Sequence, residues 1–520
     1  MASSIQLCAA TTILCILGGI GWQKFCKARS QWMEDLELLG RPRKQKLHGT
    51  AVVCGGSIAG TVTARILADH FEHVVLVDPE LEDMEKPKTR IVQYNAVHVY
   101  LSLFVNGARK LWPNFDSEFL AVTGRLVPAD SGIRYSGVRV INPDHDFPSG
   151  SFPESLVIRR STSQKVLSRL LIQHPTSANI TIIPGTIRGF EATSDVTSIQ
   201  SVTVRKLDGT EAVLNDVAMV ADCTGTTQAG LKWLRKAGFS LPENIRRSYD
   251  ANLRYTTLNF TVPAELEAKL PIPESARNTI LAYGNLEHFA YGARSYGLMV
   301  TDNNTMQLIL CNTDDNLPRV ASDVVPWLTS IRFHAEVPTW FLETIEIICE
   351  QGEPWFDHIR IAPQSYIQYH KAPARTLPSN FVAIGDANMQ LNPVHGQGFA
   401  KILLSGIALN TLLLKTDPKA SNLPTDFPAR YFKTSAAYSQ GLWDSTRLHD
   451  YGDVNCEPME GETTDTGRFV RWFEAKLISA ATQDAEVASA VWHVRHIFRA
   501  DKLLLAPTVL WKVLWARPRF

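Results

Sequence analysis

The stretch "VVCGGSIAG", residues 52–60, decides how the chain is read. It comes close to the glycine fingerprint that cradles a dinucleotide pyrophosphate, but Ser57 stands where the second glycine belongs. The flanks favour binding over a plain strand-to-helix turn. Thr50–Cys54 reads as a short apolar strand. "TVTARILADHF" places Val62, Ile66 and Leu67 on one helical face, and "HVVLVDPE" reads as a second buried strand ending in Asp78. Asp78 follows Gly60 by 18 residues, a spacing that suits a carboxylate accepting hydrogen bonds from an adenosine ribose. Gly55 permits the tight turn and Gly60 lets helix and strand approach. Ser57 is small enough to let a phosphate reach the helix N-terminus.

A second signal lies at residues 380–414, "NFVAIGDANMQLNPVHGQGFAKILLSGIALNTLLL". Phe381–Ile384 reads as a strand closed by Gly385 and Asp386, and a helix begins near Gly396. Asp386, at the strand end, is placed to accept bonds from the ribityl hydroxyls of a flavin. Gly396 and Gly398 leave N–H groups bare at a helix N-terminus, which stabilises negative charge. A plain strand–helix turn would not need Asn392, Pro393 and Gln397 as companions.

The pattern "GDAxxxxNPxxGQG" resembles the second flavin motif of the group A FAD-dependent monooxygenases, the family built like p-hydroxybenzoate hydroxylase and squalene epoxidase. Other segments are similar in the same order. "LVIRRSTSQKVLSRLL", 156–171, resembles the helix whose opening arginine contacts the flavin; Arg160 fits that position best and Arg159 is its rival. "VAMVADCTG", 217–225, resembles the strand ending in Asp and Gly near the cofactor, although Cys223 and Thr224 separate Asp222 from Gly225. Residues 90–115 and the C-terminal "LWDSTRLHDYGD" resemble one subgroup. The resemblance spans roughly residues 48–515.

It implies an α/β fold: a Rossmann-like FAD-binding domain of the glutathione-reductase type, with an inserted antiparallel-sheet substrate domain and a helical C-terminal region. The expected division is a membrane anchor at 1–30, a linker at 31–47, an FAD-binding domain at 48–250 and 360–415, a substrate-domain sheet at 251–359, and a helical region at 416–520. The cofactor set is Gly55, Ser57, Gly60, Asp78, Arg160, Asp222, Gly385, Asp386, Pro393, Gly396 and Gly398, around one non-covalent FAD. NAD(P)H would be a transient donor, since no second dinucleotide fingerprint occurs. The implied reaction is O2-dependent hydroxylation or epoxidation of a lipophilic small molecule. The alternatives are a flavin-dependent reductase or isomerase like geranylgeranyl reductase, and a membrane-tethered binding protein. The Trp-x-Trp-x-Ile-Pro signature of flavin halogenases is absent.

Composition agrees. Of 520 residues, 45% are hydrophobic and 20% charged, and Lys plus Arg equals Asp plus Glu at 52 each, so no basic field points to nucleic acid. The eight cysteines show no CxxC pair, and neither they nor the fourteen histidines show a metal-ligand spacing. No Ser-His-Asp or paired-carboxylate signature marks a catalytic acid, base or nucleophile. His395 reads equally as a loop histidine with a structural hydrogen bond. Phe289, Tyr291, Tyr296 and Met299, on expected strands, are pocket candidates or plain core.

The N-terminus is a separate matter. Ile5–Trp22 is an 18-residue mostly apolar run followed by Lys24, Lys27 and Arg29. Charges after the run fit an uncleaved single-pass anchor that holds the downstream chain in the cytosol, on the endoplasmic reticulum in a eukaryote. "KLLLAPTVLWKVLWARPRF" suits either an interfacial helix or one packed on the domain.

Overall fold

The computed structural model of the chain describes residues 18–147, 152–287, 294–373, 375–517 and 519. Strand β1 (Leu47–Cys54) leads through Gly55 and Gly56 into helix α1 (Ile58–Ala68) and returns as β2 (Phe71–Val77). Ala51–Cys54 are wholly buried, as expected for a parallel strand covered on both faces. β1 and β2 pair in parallel from Thr50↔His73 to Cys54↔Val77. Helix α2 (Arg160–Gln173) precedes β3 (Ile180–Ile183), which extends the sheet beyond β2. β4 (Val217–Asp222) and β5 (Phe381–Ala383) extend it on the other side of β1. The resulting order, β5-β4-β1-β2-β3, is parallel throughout. Connections diverge between β1 and β4, and ligands of open α/β sheets bind in such a crevice beyond the strand carboxyl ends.

Helix α3 (Gly398–Lys415) is the one described helix long and apolar enough to cross a membrane, yet 78% of it is buried inside the protein. It is a core helix packed on α1. At their crossing, a Cβ on Gly406 would stand 2.8 Å from Ile66 Cδ1.

A second sheet of seven strands runs in the order 355–360, 254–261, 305–312, 295–300, 283–286, 133–135 and 138–139. Its pairs are antiparallel except 283–286 with 133–135. Side-chain alternation gives it two uses. Leu308 and Leu310 pack with Phe341, Ile345 and Ile348 of an outer helix. Ile309 and Cys311, one residue out of phase, face a cavity between the two sheets.

The C-terminal part is helical: α4 (Phe427–Asp450), α5 (Arg468–Ala481), α6 (Ala485–Arg495) and α7 (Pro507–Trp515). Asp484 starts α6 by accepting from the N–H groups of Glu486 at 2.9 Å and Val487 at 3.1 Å. Residues 18–27 form a helix laid on this group. Cys26 is buried with Leu477, Val487, Val509 and Val513, and Trp22 Nε1 donates to Leu505 O at 3.0 Å.

Two N-terminal expectations need revision. Residues 31–47 are not a solvated linker, because Trp32, Leu36, Leu39 and Leu47 are buried in the main core. Of the expected anchor, 1–17 lie outside the described residues, and 18–27 are docked on the domain. The C-terminal tail is packed on the domain along one side. Val509 and Val513 are buried, whereas Trp511 and Trp515 on the opposite side are 65% and 71% exposed.

Candidate cofactor and substrate site

The glycines at the end of β1 are there for space. Gly55 has φ +111°, and a Cβ on it would lie 2.5 Å from Cys223 O. A Cβ on Gly60 would overlap the Gly55 carbonyl. Ser57 has φ −76° and ψ −170°, extended backbone that any residue adopts, so glycine is not needed there. Its hydroxyl accepts from Arg160 Nη2 at 2.9 Å. The departure from the fingerprint thus ties the turn to α2.

Asp78 folds back on the same turn. One carboxylate oxygen accepts from Gly56 N at 2.9 Å and the other from Glu80 N at 2.8 Å, and the residue also lines the cavity. Asp222 behaves differently. It is fully buried and accepts from Thr224 N, Thr224 Oγ1 and Gly230 N at 2.7–3.0 Å. Burial pushes its pKa up to about 6 against these hydrogen bonds. It shapes the loop after β4, and Cys223–Thr227 of that loop line the cavity in its place.

Arg160 and Arg159 separate cleanly. Arg159 turns away to the fully buried Asp302, donating from Nη2 at 2.8 Å and Nε at 3.1 Å. Arg160 is buried at the cavity wall, where its side-chain bonds go to the neutral Ser57 and Gln164 (3.1 Å). Its guanidinium lies 5.8 Å from the Phe399 ring centroid. A buried cation held by neutral groups fits an anionic ligand.

At the second motif, Gly385 has φ +67° and packs against Ala59 and Ile402. Asp386 lines the cavity and pairs with the buried Lys401, which also donates to Met389 O. Asn392 caps the Pro393–His395 turn by accepting from Val394 N at 3.0 Å. Gly396 has φ +68° and sits against Val99, while a Cβ on Gly398 would meet nothing within 4 Å. The first turn of α3 therefore opens toward free space.

These residues border one cavity of about 1220 Å³. It starts at Gly55, Ser57 and Asp78, passes Arg160, Asp386 and Asn392–Gly398, and ends among Phe473, Leu477 and Leu510 of the C-terminal helices. Ligand pockets commonly reach roughly 300–1,000 Å³, so there is room for a dinucleotide and a second molecule. The glycine cradle, the uncompensated Arg160 and the open N-terminus of α3 fit FAD. Gly60, Gly385 and Asp222 support that wall from behind.

Several wall residues lie outside the expected cofactor set. His98 stacks edge-on to Phe399 at 5.5 Å, and burial with Arg160 nearby pulls its pKa down to about 4, so it is neutral. His449 and Glu474 come from separate helices. Lys401 did leave a trace, a lone cation within an apolar helix. Tyr296 lines the cavity, Met299 is core, and Phe289 and Tyr291 lie outside the described residues.

No protein-family model matches the chain, and no curated protein matches it. Solved structures do. One is PqsL, a probable FAD-dependent monooxygenase from Pseudomonas aeruginosa, at 14% identity and TM-score 0.55, covering 78% of this chain and 96% of that one. The chain has the fold of these flavoproteins. The flavin-dependent brominase Bmp2 matches at 13% identity and TM-score 0.55, over 90% of this chain and 98% of its own. The p-nitrophenol 4-monooxygenase PnpA from Pseudomonas putida matches at 15% and 0.54, over 88% and 99%. Flavoprotein oxygenases and a brominase on one fold leave the reaction to the site.

Proposed function

We propose that this chain is an FAD-dependent monooxygenase that uses NAD(P)H and O2 to hydroxylate or epoxidise a lipophilic small molecule of the kind made in secondary metabolism. The observation that carries the reading is the continuous cavity, glycine-cradled at one end and apolar at the other, with Arg160 and Asp386 between. Bound FAD supplies the redox and oxygen chemistry. The chain's residues bind, orient and exclude water. Gly55 would let the backbone approach the pyrophosphate, Gly60 keeps α1 close against β1, Arg160 would offset the phosphate charge, and Asp78 and Asp386 would accept from ribose and ribityl hydroxyls. The N–H groups at Gly396–Gly398 would stabilise negative charge on a reduced flavin. Tyr255, Ile309, Leu477 and Leu510 give the second molecule a dry chamber.

We also read the apolar run at residues 5–22 as attaching the chain to a membrane, its described end, 18–22, lying on the domain and the catalytic body in the cytosol. The exposed Phe469, Trp472, Trp511 and Trp515 beside the docked N-terminal helix support a membrane-facing side. Because Trp22 and Cys26 pack on the domain, the deletion that tests this is 1–17. The shortened chain is expected to keep FAD and to bind vesicles more weakly. Fully soluble full-length protein would refute the anchor.

The reaction is tested with 18O2, NAD(P)H and a screen of polyenes and phenolics. One labelled oxygen per product is expected. Unlabelled product, or turnover undiminished under argon, overturns oxygenation in favour of a reductase or isomerase. A pure protein that takes up no flavin favours the tethered binding protein.

A further inference from the structure

The apolar end of the cavity holds a cluster of histidines and carboxylates. His395 from the Pro393–His395 turn, His449 and Asp450 from the end of α4, and Glu474 from α5 all line it. His449 Nδ1 lies 3.0 Å from both Glu474 oxygens, and the two imidazole rings meet edge to face at 5.1 Å. Asp450 lies 3.4 Å from His395 Nε2. It accepts from Tyr249 OH at 2.8 Å and from Asn392 Nδ2 at 3.0 and 3.1 Å. Phe473, Leu477, Ile478 and Leu510 border the same space.

Well-packed apolar residues of similar volume often stabilise a wall as well as a buried ion pair or better, so stability alone does not account for a pair here. What it provides is recognition. Burial alone would depress the His449 pKa, but Glu474 and Asp450 overcome it and push it up to about 9, with Arg471 opposing. The Glu474 carboxyl stays below its ordinary value, held there against burial by His449 and His395. The pair is therefore charged near neutrality. An alcohol can donate to a carboxylate that an imidazolium holds in place, and the charge strengthens such a bond. A hydrocarbon makes no such bond.

The geometry points to the His449–Glu474 pair, steadied by His395 and Asp450, as the site that holds a hydroxyl on an otherwise hydrocarbon substrate. The substrate class is a long lipophilic alcohol, its polar end fixed at α4 and α5 beside the Asn392–Gly398 loop. The assignment rests on this cavity being the substrate chamber of the proposed oxygenase.

The test is binding, read without turnover. FAD-loaded full-length protein in detergent is titrated at pH 7 with farnesol and with farnesene, which lacks the oxygen, following flavin absorbance and tryptophan fluorescence. The wild type is expected to bind the alcohol at least tenfold more tightly. Glu474→Gln and His449→Gln are expected to bring the ratio close to one while farnesene affinity stays within twofold. If either variant loses FAD or melts early, the wild type decides the matter, because its preference for the alcohol must shrink between pH 7 and pH 10 as the imidazolium loses its proton. The titratable neighbours in that comparison are His395, Tyr249, Asp450, Arg471 and Glu474. No preference in the wild type, or one that is flat with pH and survives in both folded variants, overturns the assignment. An oxygenase without this preference would leave the proposed reaction standing, and a preference without oxygenation would leave the binding site standing.

Discussion

The two ends of the cavity are built by opposite means. The end proposed for the nucleotide is built around backbone: Gly55 and Gly60 occupy places where a Cβ would strike Cys223 O or Gly55 O, with Asp78, Lys88, Arg90 and Arg160 among the side chains that line it. The far end is made of side chains. His395, His449, Asp450 and Glu474 arrive from a turn and two helices and touch through hydrogen bonds of 3.0–3.4 Å. A backbone cradle tolerates no added atoms but accepts many ligands that carry a pyrophosphate. A side-chain cluster tolerates substitution without losing the fold, and its charge decides what it binds. Damage at the first end should therefore read out as stability and flavin content, and damage at the second as pH dependence and selectivity.

The largest effect is expected from Gly60→Ala. The new methyl would overlap the Gly55 carbonyl, both flanking elements are buried, and relief requires α1 to move off β1. A loss of at least about 3 kcal/mol, the upper end of ordinary overpacking costs, with failure to retain FAD, would be seen in thermal melts and flavin absorbance. A stable variant with full FAD content would break the backbone-cradle account.

Asp386→Ala comes next. It removes an acceptor from the cavity and leaves Lys401 buried without its partner. Breaking a buried pair costs about 3–5 kcal/mol; Asp386 is itself 44% exposed, which puts the expectation at the low end. The double variant Asp386→Ala/Lys401→Met separates the two roles. It should recover most of the stability and still bind FAD poorly. Recovery of both would mean that Asp386 serves Lys401 alone.

At the side-chain end the expected effect is a pH slope. The folded pKa of His449, about 9, exceeds the unfolded value of about 6.5. Its contribution is full below pH of about 6.5 and is lost as pH rises through about 9. The lowered Glu474 acts oppositely; its contribution is present above its unfolded value of about 4.3 and is lost as pH falls through the folded one. Glu474→Gln should remove roughly 2–3 kcal/mol of the stability difference between pH 6 and pH 9.5, measured by urea melts at each pH. An unchanged slope would mean that the pair is not charged in the folded protein.

The smallest effect is expected from Ser57→Gly. The backbone at Ser57 needs no glycine, and the loss is the hydrogen bond from Arg160 and a long one to Gln164, about 1.5 kcal/mol, the low end for a charged partner. FAD content should stay near that of the wild type. Marked FAD loss would show that the hydroxyl, and not the bare turn, holds the cofactor.

The same contrast explains what was legible in the sequence. The turn at 55–60 and the run 385–398 are local, so spacing alone reveals a strand, glycines and a helix start. Burial on both sheet faces made β1, β2 and β4 readable as apolar runs. Asp222 stands where the pattern puts it, at a strand end, but spacing cannot show which way a carboxylate points, and this one points into its own loop. Arg159 and Arg160 are adjacent in sequence; only the buried Asp302, more than a hundred residues away, separates their roles. Residues 31–47 looked polar by count, yet Trp32, Leu36 and Leu39 recur at helical spacing and are buried. Of the histidine–carboxylate cluster, His395 lies in the second flavin motif and His449 and Asp450 in "LWDSTRLHDYGD", but their meeting with Glu474 had no local signature, because it follows only once α4 and α5 have packed.

The account turns on the cavity being a flavin site, and one titration addresses that most directly. Full-length protein in detergent, stripped of bound small molecules, is titrated with FAD while flavin fluorescence is followed, and the complex is then denatured with acid to release the cofactor. One FAD per chain, tightly bound and released intact, is the predicted result, with Arg160→Met weakening binding at least tenfold and leaving the melt nearly unchanged. A folded wild-type chain that takes up no FAD, or takes it up equally well without Arg160, would contradict the account.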